Sequence, residues 1–248
     1  MAGELALLAL AGAGTALATG LGAVPVFALG VRADALRPLL WGLAAGVMSV
    51  ASVVGLLEPA LDEGSAAVVA AGLGAGVVFL LGGRRALARR DVHVGALRGA
   101  GVRRSLLVFG VLLVHSLPEG FAIGAAFASD REGLGVFVLL AIALQNVPEG
   151  TASAIPMREA GFTPGQQFWA AVATSAPQPV GAVAAYLLVE EIESLLPVSF
   201  AFAAGAMLAL VLLELVPQAF TARTWRSALA GTVAGGALMI GLSAAIGV

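Results

Sequence analysis

The chain has 248 residues, of which 60% are hydrophobic and 11% charged, and its formal net charge is −2. A soluble domain carries about a quarter charged residues, so this composition predicts a polytopic membrane protein in a lipid bilayer. The near-neutral charge indicates no general affinity for nucleic acid, and the absence of cysteine excludes disulfides, thiolate metal ligands and cysteine nucleophiles.

Eight stretches each provide the roughly 20 apolar residues that a helix needs to cross the hydrocarbon core of a membrane. Their apolar residues are consecutive rather than alternating, which favours helices over barrel strands. The first stretch lacks a basic n-region and carries Glu4, unlike a cleaved signal peptide. We therefore predict an all-α polytopic fold and a single transmembrane domain over residues 1–248, with spans at about 5–30, 39–58, 65–83, 105–128, 134–157, 166–189, 198–221 and 227–247.

The arginines predict the orientation of these spans, since the chain contains no lysine. With both termini outside the cytoplasm, every arginine except Arg131 falls in an inner segment, as the positive-inside rule requires. The long basic loop over 84–104 is then cytoplasmic. We interpret it as a topological anchor in preference to a binding site for anionic lipid headgroups. His93 in this loop is interpreted as a solvated residue and not as a peripheral metal ligand.

Ionisable side chains within the spans are the informative ones. Glu119, Glu149, Glu214 and His115 lie in spans four, five and seven, and no arginine is predicted at the same depth. Each charge at the centre of a span costs about 2.5–3.5 kcal/mol on insertion scales, so it needs compensation. Acids in this position either stay protonated or bind a cation.

Two related motifs sharpen this interpretation. Span four reads His-Ser-Leu-Pro-Glu-Gly over 115–120, and span five reads Gln-Asn-Val-Pro-Glu-Gly over 145–150. Because positions i and i+4 share a helix face, each Glu lies below the first residue of its motif. Facing one another, the motifs gather His115, Glu119, Gln145 and Glu149, with Ser116 and Asn146 beside them, in a set that suits Zn²⁺, Fe²⁺ or Mn²⁺. Two kinked helices with protonated glutamates are the alternative, which the recurrence of the motif disfavours.

The recurrence also indicates an inverted repeat, because spans four and five cross the bilayer in opposite directions. A second similarity links residues 44–48 of span two with residues 203–207 of span seven. The small residues there favour close helix packing, and Met48 as a soft metal ligand is a minority interpretation.

The paired motifs and the topology resemble the ZIP family of divalent-metal transporters. This resemblance implies eight helices, both termini outside, and a binuclear metal site between helices four and five. One metal site would use His115, Glu119, Gln145 and Glu149, with Met48 nearby.

The second site departs from the family pattern. Ser116 stands where Asn is usual, Asn146 where Asp is usual, and Gln178 where helix six often has Glu. Glu214 in helix seven lacks the adjacent histidine that is common in the family. Because amides replace carboxylates, we predict one competent metal site and a weakened or empty second one.

The resemblance implies transport of a divalent cation, with Zn²⁺ first and Fe²⁺, Mn²⁺ or Cd²⁺ also candidates, across the plasma membrane into the cytoplasm. The metal is the substrate, and no organic cofactor is expected. Family members are thought to work as elevators, in which helices one, four, five and six move against helices two, three, seven and eight. Spans two and seven offer Ala/Gly surfaces able to slide, and a homodimer is common in the family.

Two other functions are weighed against transport. A non-transporting metal sensor or receptor is favoured by the amide substitutions. An intramembrane metal-dependent hydrolase is strongly disfavoured. Such an enzyme requires a second buried histidine beside His115, and the spans contain none. We therefore do not expect an enzyme.

Overall fold

The computed structural model describes residues 2–88 and 100–248, and this part of the chain is helical with no strand. The helices are α1 (Ala2–Leu29), α2 (Arg37–Ser52), α3 (Glu58–Glu63), α4 (Ala66–Ala88), α5 (Ala100–Ala128), α6 (Leu134–Glu159), α7 (Pro164–Thr174), α8 (Pro177–Glu191), α9 (Leu196–Leu210), α10 (Val216–Ala219) and α11 (Trp225–Ile246). Short 3₁₀ segments cover Gly30–Leu36 and Glu193–Leu195.

Within the described residues, seven helical stretches are long and apolar enough to cross a membrane. The predicted all-α polytopic fold is thereby confirmed. The first stretch, Gly3–Glu63, has 61 residues, about three times the length that one crossing needs. Gly30 interrupts it with a left-handed φ of 58°, a conformation that glycine adopts without a steric penalty. The count of eight spans stays a prediction.

Two boundaries differ from the predicted spans. The sixth span is broken, because α7 ends at Thr174 and α8 begins at Pro177, and the prolines at 177 and 179 cannot supply the amide hydrogens that a continuous helix needs. Around the basic loop, α4 continues to Ala88 and α5 begins at Ala100, so part of the 84–104 segment is helical. His93 lies outside the described residues.

Both α2 and α9 continue into a five-residue π-helix, over Val53–Leu57 and Val211–Leu215. Pro59 and Pro217 follow these segments, and each lacks the N–H that would pair with a carbonyl four residues earlier. The similar stretches 44–48 and 203–207 precede the two π segments at nearly the same spacing. The similarity between spans two and seven thus extends from sequence to backbone geometry.

Glycines bring the backbones of particular helices into direct contact. A Cβ added at Gly150 of α6 would lie 1.8 Å from the carbonyl oxygen of Thr19 in α1, and one at Gly120 of α5 would lie 2.3 Å from that of Gln178 in α8. These contacts join α1, α5, α6 and α8, together with α7, which packs on α1, into what we call the first group.

The second group consists of α2, α4, α9 and α11, in which glycines bring α2 against α11 and α4 against α9. A Cβ at Gly46 of α2 would lie 2.1 Å from the carbonyl oxygen of Thr232 in α11, and one at Gly205 of α9 would lie 2.2 Å from that of Leu73 in α4. Sliding on the Ala/Gly surfaces of spans two and seven stays a prediction, but Gly46 and Gly205 themselves do not face the first group. They face other helices of their own group, where close backbone packing buries them.

Contacts between the groups are of another kind. Gly55, after α2, faces the ring of Phe137 in α6, and Gly83 of α4 faces the side chain of Val114 in α5. Side chains adjust by rotamer changes, whereas backbones in direct contact cannot. Backbone contacts therefore hold the first group together and join α2 to α11 and α4 to α9, whereas Gly55 and Gly83 meet only side chains across the boundary.

Candidate metal site

Three ionisable side chains converge where α5 and α6 meet. His115 and Glu119 lie one turn apart on the same face of α5, and Glu149 projects from α6. The Nε2 atom of His115 lies 3.1 Å from Oε1 of Glu119 and 3.5 Å from Oε1 of Glu149. All three residues are buried, and each offers a ligand atom within 4.8 Å of the others. The two motifs thus face one another, as the sequence predicted.

Several ligand atoms of this cluster have no hydrogen-bond partner. Nδ1 of His115 and Oε1 of Gln145, whose Nε2 donates to Oε1 of Glu119, have none, and Nε2 of His115 and Oε1 of Glu149 have only the ion-pair contacts given above. Buried polar atoms without partners are rare in proteins. Two ligands of a tetrahedral zinc ion at about 2.0–2.2 Å from the metal lie roughly 3.3–3.6 Å apart, close to the separations seen here. The donors therefore fit a divalent cation.

A network of neutral groups lies on the other side of Glu119. Gln178 donates from Nε2 to Oε2 of Glu119 at 2.6 Å, and its own Oε1 accepts from the Thr15 hydroxyl at 2.7 Å. Asn146 donates to the same Gln178 oxygen at 3.1 Å and to the backbone carbonyl of Thr15 at 2.7 Å. The amides at 146 and 178 are thus adjacent, and they satisfy each other.

The remaining candidate ligands lie at the margin of the cluster. Ser116 is buried, and its hydroxyl donates to the carbonyl of Leu112 at 2.9 Å within α5. Met48 is fully buried in α2, and no polar contact in the described part of the chain joins its sulfur to the cluster.

Sequence reasoning missed the contribution of α1. Thr15 bonds Gln178, Thr19 pairs its hydroxyl with that of Ser175 at 2.7 Å, and Thr151 donates to the carbonyl of Gly22 at 2.7 Å. The signal was present, since Thr15 and Thr19 are four residues apart in an apolar span and therefore share a face. Their partners come from α6 and from the break between α7 and α8.

A cavity of about 210 Å³ extends from Glu149 along the half of the molecule that the arginines predict to be cytoplasmic. Its wall is mostly apolar and includes Trp41, Val111, Pro148 and Leu210. Among the residues that line it, Glu149 and Glu214 are the two that carry charge. Glu149 of the cluster and Glu214 therefore line the same cavity.

Glu214 is held by two partners. Its Oε1 lies 3.0 Å from a guanidinium nitrogen of Arg84 in α4, and its Oε2 accepts from Gln218 at 3.0 Å. Glu119 and Glu149, by contrast, form no ion pair with an arginine in the described residues. The negative charge of Glu214 is thus neutralised by an arginine, whereas within the described part of the chain the negative charges of Glu119 and Glu149 are not.

Comparison with known proteins places the chain in a family. A family model for the ZIP zinc transporter matches residues 88–243. The chain is 34% identical to the zinc transporter GufA of Myxococcus xanthus over 252 residues, which cover 95% of this chain and 96% of that protein. It is 37% identical to the zinc transporter ZIPB of Bordetella bronchiseptica over 256 residues, with 96% and 81% covered.

The chain is also 36% identical over 207 residues to a putative zinc transporter of Arabidopsis thaliana. This match covers 83% of the chain and 33% of the Arabidopsis protein. The members of the ZIP zinc transporter family are transporters and not enzymes. The family model covers more than half of the chain, and the two bacterial relatives match it over nearly its whole length. The chain therefore belongs to the ZIP zinc transporter family.

Proposed function

We propose that this protein transports a divalent transition-metal cation, Zn²⁺ first, through a site formed by His115, Glu119, Gln145 and Glu149. The observation that carries the proposal is the convergence of one imidazole and two carboxylates from two helices, all of them buried. Zinc transport by the bacterial relatives, as their names state it, supports the choice of metal.

The charges of the site suit a dication. Glu119 and Glu149 together supply two negative charges, so one divalent ion neutralises both in a setting where an isolated charge is costly. Imidazole and carboxylate ligands favour Zn²⁺ and also accept Fe²⁺, Mn²⁺ or Cd²⁺. The unpartnered amide oxygen of Gln145 offers a fourth ligand.

The neutral network limits the site to one metal ion in this proposal. Oε2 of Glu119 already accepts a hydrogen bond from Gln178, and Asn146 and Gln178 contribute no charge. A second dication would have to displace that bond without gaining a carboxylate. We therefore infer one competent metal site and a weakened second one.

The cavity between Glu149 and Glu214 supports release toward the cytoplasm. In the orientation favoured by the arginines, with both termini outside, this cavity opens inward. A membrane potential that is negative inside favours entry of a dication by about 2.3 kcal/mol per charge per 100 mV. We propose inward transport across the plasma membrane.

We also propose that the protein forms a homodimer, which the family resemblance implies. Light scattering in detergent measures the mass of the assembly and so tests this.

The division into two groups of helices supports an elevator mechanism. The first group contains the ligands and is joined by backbone contacts, so it can move as one body against the second group. The chain has no cysteine, which makes it suited to cross-linking. An added Cβ at Gly83 would lie 3.4 Å from Cβ of Val114, close to the separation of about 3.5–4.5 Å in a disulfide.

The double variant Gly83→Cys/Val114→Cys therefore tests the movement. A disulfide here joins the two groups, so transport should stop on oxidation and return on reduction. The two single-cysteine variants serve as controls and should respond to neither treatment. Transport that continues after complete disulfide formation contradicts movement of one group against the other.

Transport itself is tested by metal uptake into liposomes that contain the purified protein. Wild type should accumulate Zn²⁺, and Glu149→Ala should abolish this uptake, whereas Glu58→Ala at an exposed position should retain it. Competition with Fe²⁺, Mn²⁺ and Cd²⁺ ranks the substrates. Tight zinc binding by wild type without any flux would identify a sensor in place of a transporter.

A further inference from the structure

The ion pair between Arg84 and Glu214 lies at the cavity that Glu149 also lines. We infer that Arg84 controls the release of the metal. Its guanidinium neutralises the carboxylate of Glu214, so that this carboxylate does not bind the metal ion after the ion leaves Glu149. This inference rests on the proposed transport of a dication through the His115–Glu149 site.

The position of Glu214 makes such control necessary. It lines the same cavity as Glu149, and the other residues of that wall carry no charge. The side chain of Glu214 is partly exposed, at 19%, and without Arg84 its carboxylate would attract a dication in the cavity more strongly than a paired one does. An unpaired Glu214 would therefore form a second binding point on the exit route.

The local structure holds Glu214 for this pairing. It lies in the π-helix Val211–Leu215, whose wider turn sets its side chain off from the regular α-helical positions, and such π segments are frequent at functional sites. Arg84 reaches Oε1 at 3.0 Å and Gln218 donates to Oε2 at 3.0 Å, so both carboxylate oxygens have partners. Oε1 of Glu149 forms no hydrogen bond with the described residues and has Nε2 of His115 at 3.5 Å.

Glu149 and Glu214 therefore differ in how strongly each carboxylate attracts a cation. The cation is held where two carboxylates meet one imidazole without an arginine from the described ranges, and it passes Glu214, where a positive charge is already present. Both Arg84 and Glu214 belong to the second group of helices, so their pairing does not depend on movement between the groups. The pair therefore acts on the electrostatics of the passage and not as a latch.

The test compares Arg84→Gln with Arg85→Gln, which removes the same charge one residue away. In purified protein we expect Arg84→Gln to bind about two Zn²⁺ ions per chain where wild type and Arg85→Gln bind about one. In liposomes its maximal rate of zinc transport should fall at least about tenfold, since leaving Glu214 unpaired strengthens binding on the exit route. The double variant Arg84→Gln/Glu214→Gln should return to one bound ion and to near wild-type transport.

The double variant separates electrostatic control from a merely structural role. If Arg84→Gln loses transport without binding an additional ion, or if Glu214→Gln does not rescue it, the inference is overturned. Equal behaviour of Arg84→Gln and Arg85→Gln also overturns it. These outcomes leave the proposed function intact as long as wild type transports zinc, whereas absent zinc uptake by wild type removes the proposed function itself.

Discussion

Gln178 fixes Glu119 from the side opposite His115. Its Nε2 donates to Oε2 of Glu119 at 2.6 Å, while Nε2 of His115 lies 3.1 Å from Oε1 of the same carboxylate. The hydroxyl of Thr15 in turn bonds Oε1 of Gln178 and so sets which end of the amide faces Glu119. Oε2 of Glu119 is thus anchored by Gln178, and Oε1 faces His115 and Gln145 of the candidate site.

Replacing this anchor should weaken zinc binding. We expect Gln178→Leu to lower zinc affinity by about 10–100-fold, the usual cost of losing a group that orients a metal ligand. The matched control is Gln167→Leu, which removes a buried glutamine of α7 that bonds the carbonyl of Phe162. Titration calorimetry on purified protein measures both. Equal affinities for the two variants would contradict the anchoring role.

Adding carboxylates should create a second metal position. Asn146→Asp combined with Gln178→Glu places two further negative charges beside Glu119, so a second dication gains the charge that it lacks in wild type. Crystals soaked in Cd²⁺ should show one strong anomalous peak for wild type and two for the double variant. Ser116→Asn adds no charge and should keep one peak. Two equally occupied peaks in wild type would refute the single-site prediction.

The backbone contact between α1 and α6 should be sensitive to a single methyl group. A Cβ at Gly150 would lie 1.8 Å from the carbonyl oxygen of Thr19, so Gly150→Ala must push the helices apart. We expect a loss of about 1–3 kcal/mol or more in the free energy of unfolding, as for other overpacked sites.

The control for this substitution lies in the same pair of helices. Gly14 of α1 has no atom within 4 Å of an added Cβ, so Gly14→Ala should leave stability unchanged or raise it by about 0.4–1 kcal/mol. Thermal unfolding in detergent compares the two variants. A stable Gly150→Ala protein would show that α1 and α6 are not in close backbone contact.

Zinc binding should also weaken as the pH falls. Carboxylates and imidazole bind a metal in their deprotonated forms, so protons compete with zinc and are released when it binds. The apparent affinity should decrease steadily below neutral pH, and calorimetry in buffers of different ionisation enthalpy should detect released protons. Binding that is independent of pH would exclude His115, Glu119 and Glu149 as joint ligands.

The sequence alone determined the class of fold and predicted which residues form the candidate site. Apolar runs identify spans because the hydrocarbon core excludes unpaired backbone and charge, and the i, i+4 spacing of His115 with Glu119 places both on one face. A buried carboxylate in a span needs compensation wherever it occurs. This is why two Pro-Glu-Gly motifs indicated a cation before any contact between helices was known.

Only the tertiary structure decided the partners between helices. Thr15 with Gln178, and Arg84 with Glu214, are pairs whose members lie more than a hundred residues apart, and nothing in the local spacing joins them. Such pairs depend on how far each helix is rotated about its axis. Backbone contacts at glycines such as Gly150 and Gly46 fix that rotation. A hydropathy pattern shows that a helix is buried, whereas the side of the helix that meets a given neighbour emerges only when all the helices pack together.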